Sequence, residues 1–141
     1  MDQADQGEIR GIIAHYHCEI AENAITKGRY SLASDRVRQA RLIDPTCSRA
    51  IIQAGRIKAI QGDHRGALKE WISGTKRQSE LAGEIAQLIH NSYKAIGALD
   101  EYRDFLLHMV NSRHDIRLVL ALTEYLENHE DAGKAERFLV D

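Results

Sequence analysis

The 141-residue sequence predicts an all-α protein, a right-handed stack of antiparallel helix pairs, and three observations predict it. The first is an internal repeat. KGRYSLASDRVRQARLIDP (27–45) and GDHRGALKEW (62–71) share one skeleton, so that Gly28, Ala33 and Val37 return 34 residues later as Gly62, Ala67 and Trp71. The second is composition: one proline, 43% hydrophobic and 28% charged residues, and too few Val, Thr and aromatic residues to furnish many strands. The third is punctuation. A glycine stands where a first helix must stop and reverse, and Pro45 stands where a second must end.

A 34-residue period carrying Ala, three residues and a large apolar side chain is the tetratricopeptide pattern, in which each unit is helix, turn, helix. Residues 1–13 form a polar lead-in segment or helix ahead of a repeat domain over 14–141. In the first unit (about 14–47) His17, Ile20, Ala21 and Ala24 take core positions, Gly28 reverses the chain, and Ala33 and Val37 face back. The second (about 48–82) repeats this with Ile51, Ala54, Gly55, Lys58, Gly62, Ala67 and Trp71. Small residues at Ala21, Ala33, Gly55 and Ala67 let paired helices approach closely. The third (about 83–115) has Gly97 at the reversal and Ala86, Ile89, Tyr93, Tyr102 and Leu106 in the core. The fourth (about 116–141) is incomplete, with Val119, Leu122, Leu126, Ala135 and Leu139. It leaves Phe138, Leu139 and Val140 without a following helix to cover them, which predicts self-association, a homodimer, through that end.

The net charge of −2 gives no electrostatic footprint for nucleic acid. The start, MDQADQGEIR, is acidic and polar, and no apolar run approaches the ~20 residues that span a bilayer. A soluble cytoplasmic chain without membrane contact of its own is expected. Cys18 and Cys47 form no CxxC pair and read as reduced thiols. His15 and His17, two apart on a helix, point about 200° from each other and cannot share a metal ion. His15 and Cys18 share a face but lack further ligands. No metal or cofactor is therefore expected, and His17 reads as a packed, hydrogen-bonded histidine. No GxxxxGK[ST], GxGxxG, HExxH or GxSxG string occurs, and carboxylates at helix-surface spacing, such as Glu19 and Glu22, read as solvated. No catalytic residue is identified, and no enzyme is expected.

Residues 48–82 carry seven Lys/Arg against three Asp/Glu, a basic centre between acidic ends. It suits an acidic peptide or anionic head group. The register places His15, Cys18, Glu22 and Ile25 on the concave face, followed by Arg49, Ile52, Arg56 and Ile60. Gln87, Asn91, Lys94, Leu120 and Glu124 continue it. Arginines beside apolar side chains are what a peptide groove uses. Arg49, Ile52, Arg56, Asn91 and Lys94, with His15 and Glu22, are the expected partner contacts. The alternative is that this groove packs on neighbouring repeats or on a second copy.

Three strings go beyond the general repeat: IAHYHCEIA (13–21), QARLIDPTCSRA (39–50) and GRIKAIQGDHRGALKEW (55–71). They resemble the tetratricopeptide region of the lipopolysaccharide assembly protein B family of Gram-negative inner-membrane proteins, from about Glu8 onward. The resemblance implies an adaptor at the cytoplasmic face of the inner membrane. Such an adaptor presents the committed deacetylase of lipid A synthesis to a membrane AAA protease. It also implies that this chain is a middle segment, since the family's transmembrane anchor and rubredoxin-like zinc module are not in the sequence. Two alternatives stay open: a structural, self-associating repeat segment, or the non-catalytic repeats of an N-acetylglucosaminyltransferase-like enzyme.

Overall fold

Seven α-helices account for nearly all described residues, and no strand occurs among them. They are α1 (Gln3–Thr26), α2 (Tyr30–Ile43), α3 (Ser48–Ile60), α4 (His64–Arg77), α5 (Leu81–Ala95), α6 (Leu99–Ser112) and α7 (Ile116–His129). The computed structural model describes residues 2–112 and 115–129. Phe138, Leu139 and Val140, the expected self-association residues, lie outside them, as do Ala135 and the rest of the second helix expected for the fourth unit.

The same backbone device stops three helices. Gly28, Gly62 and Gly97 have φ of 72°, 88° and 69°, the left-handed region that glycine enters without steric cost. Around each, two amides reach back to the last turn: Arg29 N to Ala24 O at 2.8 Å and Gly28 N to Ile25 O at 3.0 Å, repeated at Asp63/Lys58 and Gly62/Ala59 and at Ala98/Tyr93 and Gly97/Lys94. This is the Schellman stop, which satisfies carbonyls left over at a helix end. α2 ends differently. Asp44 is extended (φ −138°, ψ 93°), as the residue before a proline prefers, and Pro45 has no amide to continue the helix. At the other end, Asp2 caps α1 by accepting the Asp5 amide at 2.8 Å. Residues 3–13 are therefore continuous with the first helix.

The chain divides into two halves, residues 1–71 and 72–141, with the boundary inside α4. In the first, α1 packs on both α2 and α3, and α2 packs on α3. Its core is built from small side chains: Ala14, Cys18, Ala21, Ala24 and Ile25 of α1, Ala33, Val37 and Ala40 of α2, Ala50 and Ile57 of α3. Small residues bring helix axes close. The tightest case is Gly55, where a Cβ would stand 2.1 Å from Nε1 of the buried Trp71. That indole nitrogen donates to the Ile52 carbonyl at 3.2 Å.

The register of α1 differs from the expectation. Cys18 and Ile25, expected to line an open groove, are buried, while His17 and Ile20, expected in the core, are half-buried. The reason is that α1 has two neighbours. One stripe meets α2, and the stripe through Cys18 and Ile25 is covered by the next pair rather than left open. In α3, Lys58 and Ala54 are half-buried, and Gln53, not singled out from the sequence, is buried.

In the second half, α5 packs on α6 and α7, and α6 on α7. Ala86, Ile89, Tyr93, Tyr102, Leu106, Leu122 and Leu126 are buried as expected. Leu118, not Val119, takes the first core position of α7. Tyr102 ties the three helices together, lying 4.8 Å from the ring of His90, 6.2 Å from Tyr93 and 6.0 Å, edge-on, from Tyr125. Burial, with Glu124 adding to it, pushes its phenol up to about 12.

Candidate functional site: an ion-pair ladder between the first and third helices

Arg49 and Arg56 stand seven residues apart on α3, two helical turns, and so project from one stripe. α1 offers Glu19 and Glu22, three apart and on one face, directly opposite. Arg49 pairs with Glu19 through Nη1. Arg56 Nη1 donates to both oxygens of Glu22, at 3.0 and 2.8 Å. Between the rungs, buried Gln53 donates through Nε2 to the Cys18 carbonyl at 2.9 Å and to Glu22 at 3.1 Å. His15 adds an outer contact, Nε2 to Glu19 at 3.4 Å.

The electrostatics follow from these bonds. The hydrogen bond and charge of Arg49 hold Glu19 below the usual carboxylate range, and Glu19 in turn raises Arg49. The bond from Arg56 lowers Glu22, against a desolvation cost that works the other way. These residues are partly exposed, so each rung is a surface pair of modest strength. The ladder remains chemically open. Both bonds to Glu22 leave from one nitrogen of Arg56, and a carboxylate prefers a two-pronged guanidinium fork. An incoming acidic group can therefore compete with Glu19 and Glu22 for the arginines.

Of the expected contacts, the structure gathers His15, Glu22, Arg49, Ile52 and Arg56 on neighbouring α1 and α3, with Ile52 half-buried between the arginines in sequence. The arginines are not bare cations: each is met by a carboxylate of α1. Glu19 and Glu22, read as solvated, are their partners, because the sequence does not say which helix α3 faces. Asn91 and Lys94 belong to α5 in the other half and are exposed there. Asn91 accepts from Gln87 Nε2 at 2.9 Å. Gln87, Leu120 and Glu124 help line a cavity of about 390 Å³ together with His90, Tyr102 and Arg117. His17 is hydrogen-bonded as expected, its Nδ1 lying 3.2 Å from Arg36 Nη1.

Elsewhere in the first half, Glu70 of α4 meets Arg41 Nη1 of α2 at 3.0 Å and Lys58 Nζ of α3 at 3.2 Å. Burial raises its carboxyl, but Lys58 and Arg41 outweigh that and leave it lowered. This cluster joins three helices and reads as a structural clasp.

Beneath the ladder two thiols meet. Cys18 of α1 is buried, and Cys47, the residue before α3, is half-buried, with 3.7 Å between the sulfurs. The Cys18 hydrogen bond, opposed by burial and helped by the Ala50 and Arg49 amides, brings Cys47 down to about 6; the same contact, with burial, pushes Cys18 up. Among the described residues no group of three His, Cys, Asp or Glu side chains is placed to hold a metal ion. Nor is any described helix long and apolar enough to cross a membrane.

No protein-family model matches the chain. It is similar to "Lipopolysaccharide assembly protein B" of Escherichia coli K12, 21% identical over 127 residues, which are 90% of this chain and 33% of that protein. It is similar also to the protein of that name from Haemophilus influenzae, 21% identical over 124 residues, 88% of this chain and 31% of that one. The chain thus spans about a third of the length of the curated relatives it matches. Over some nine-tenths of its residues it is a distant sequence relative of lipopolysaccharide assembly protein B.

Proposed function

We propose that the chain is a segment of a tetratricopeptide-type right-handed solenoid that acts as a protein–protein interaction scaffold, without catalysis of its own. The observation that carries this reading is the stripe of Arg49 and Arg56 on α3, held in partly exposed ion pairs with Glu19 and Glu22 for which another carboxylate can compete. Two further features support it. Short glycine turns join helices that pack on one another, as in antiparallel pairs. In each half a first helix also packs on the first helix of the next pair, α1 on α3 and α5 on α7, as stacked repeats do.

The relatives' name supports a role in lipopolysaccharide assembly. On this reading the chain works at the cytoplasmic face of the inner membrane, where it holds the committed lipid A deacetylase, the membrane AAA protease, or both. An acidic segment of the partner displaces Glu19 and Glu22 and takes both arginines, with Ile52 excluding water beside them. Calorimetric titration of the chain with the deacetylase and with the soluble part of the protease tests it. The expected result is saturable binding to at least one of them, weakened about tenfold, or ~1.4 kcal/mol, in Arg49→Gln/Arg56→Gln. Heat of dilution alone from both titrations overturns the reading.

One observation favours a second reading, the self-associating segment. Ile9, Ile12, Ile13 and Tyr16 lie on one face of α1 and are all exposed. At this spacing they form an apolar stripe fit to pair with another copy.

A further inference from the structure

The scaffold reading does not use the two thiols, and their placement is specific. Cys18 sits on the face of α1 that meets α3, its own carbonyl taken by Gln53. Cys47 is set by the turn before it: Asp44 accepts the Thr46 amide at 3.0 Å and the Thr46 hydroxyl at 2.7 Å, and the Cys47 amide donates to the Asp44 carbonyl at 3.1 Å. That turn delivers the Cys47 sulfur to the start of α3, where the Arg49 and Ala50 amides point at it. The sulfurs are in van der Waals contact at 3.7 Å, and a disulfide needs about 2.05 Å.

We propose that Cys18 and Cys47 are a reversible redox pair, in which peroxide oxidises Cys47 and Cys18 resolves it to a disulfide that fastens α1 to the start of α3. The two sulfurs have different roles because they have different surroundings. Cys47 is the half-buried sulfur of the pair, lies at the start of α3 facing the Arg49 and Ala50 amides, and takes the thiolate role. Cys18 is out of reach of solvent and stays protonated until its partner is oxidised.

The chemistry balances with hydrogen peroxide as the oxidant. The Cys47 thiolate attacks one peroxide oxygen, the O–O bond breaks, and the departing hydroxide takes a proton to become water, leaving Cys47 as sulfenic acid. Cys18 then attacks the Cys47 sulfur, its proton leaves with the hydroxyl as a second water, and the S–S bond forms. A cellular dithiol reverses it by exchange. Had the two side chains served only as small apolar filling, nothing would require the half-buried sulfur to sit at a helix start against the buried one.

The consequence reaches the ladder. Glu19 follows Cys18 in the chain, and Arg49 comes two residues after Cys47. A bond between the sulfurs holds the Glu19–Arg49 rung in place.

The test exposes the full reduced chain to a small excess of hydrogen peroxide at neutral pH, then maps thiols by mass spectrometry without reduction. Loss of two hydrogens and an intramolecular peptide linking Cys18 to Cys47 are expected, with a rise in melting temperature that dithiothreitol reverses. Cys18→Ala, which cannot resolve, should stop at a sulfenic acid on Cys47 that dimedone traps. Cys47→Ala should leave Cys18 unoxidised over the same time. Both thiols still free in the treated wild-type chain overturn the proposal, as does dimedone on Cys18 ahead of Cys47. A link found only between chains or only in denaturant overturns it too. The wild-type map decides even if a variant fails to fold.

Discussion

Cys47 ionises as it does because of its neighbours, and that can be checked residue by residue. Its thiol falls from the ordinary 9.0 to about 6, the Cys18 hydrogen bond first among the causes, so it is largely thiolate at neutral pH. The rate at which iodoacetamide alkylates Cys47 should rise through about pH 6 and be nearly flat above pH 7. In Cys18→Ala the rise should move toward the ordinary thiol range. A wild-type profile still climbing through pH 9 contradicts the assignment. Glu22 gives a second prediction at this scale. Its folded-state value is lowered from 4.5, chiefly by Arg56, so the stability it contributes is fully present above 4.5 and is lost as the pH falls below that value. Arg56→Gln should lower the melting temperature near pH 7 and flatten the acid limb, the difference from the wild type vanishing at low pH. An unchanged acid limb would mean that the pair contributes nothing in solution.

At the scale of elements, the close approach at Gly55 is the sharpest feature. A Cβ there collides with the ring of Trp71, which is held on the Ile52 carbonyl. Gly55→Ala should lower stability by about 1–3 kcal/mol from overpacking, less the ~1 kcal/mol that alanine gains over glycine within a helix. Ala67→Leu, at a fully buried site, should cost a similar ~1–3 kcal/mol. Urea melts followed by the fluorescence of Trp71, the chain's one tryptophan, measure both, and an unchanged midpoint in Ala67→Leu contradicts the packing. These sites were legible in the sequence because a repeat displays its constraints twice. Gly28 and Gly62 each mark a left-handed backbone that favours glycine, and Ala33 and Ala67 each mark a buried position between packed helices. The rotation of α1 was not legible. A template anchored at Ala33 assigned His17 to the core and Cys18 to the groove, whereas burial follows Ala14, Cys18, Ala21 and Ile25. The template describes one helix pair, and the contact that buries Cys18 and Ile25 comes from the next. Glu19 and Gln53 escaped for the same reason, since each acquires its role only when α1 meets α3.

At the scale of the whole molecule, the exposed stripe of Ile9, Ile12, Ile13 and Tyr16 predicts association as concentration rises. Sedimentation velocity should show dimers that Ile12→Glu/Tyr16→Glu suppresses, and a monomer at every concentration removes that reading. On the proposed function, Arg49 and Arg56 are anchors for a partner's acidic segment, held in reserve by Glu19 and Glu22. Charge reversal would confuse lost contacts with new repulsion, whereas neutral substitutions separate the two sides of the ladder. The binding should also weaken with added salt, because the charges are partly solvated. The most direct measurement is the affinity of the chain for the deacetylase or the protease in two matched double variants, with helicity checked by circular dichroism. Arg49→Gln/Arg56→Gln should weaken binding about tenfold, while Glu19→Gln/Glu22→Gln, which frees the guanidinium groups, should strengthen it by several-fold. Folded variants that bind like the wild type, or that shift in the same direction, would contradict the account and place the partner on another face.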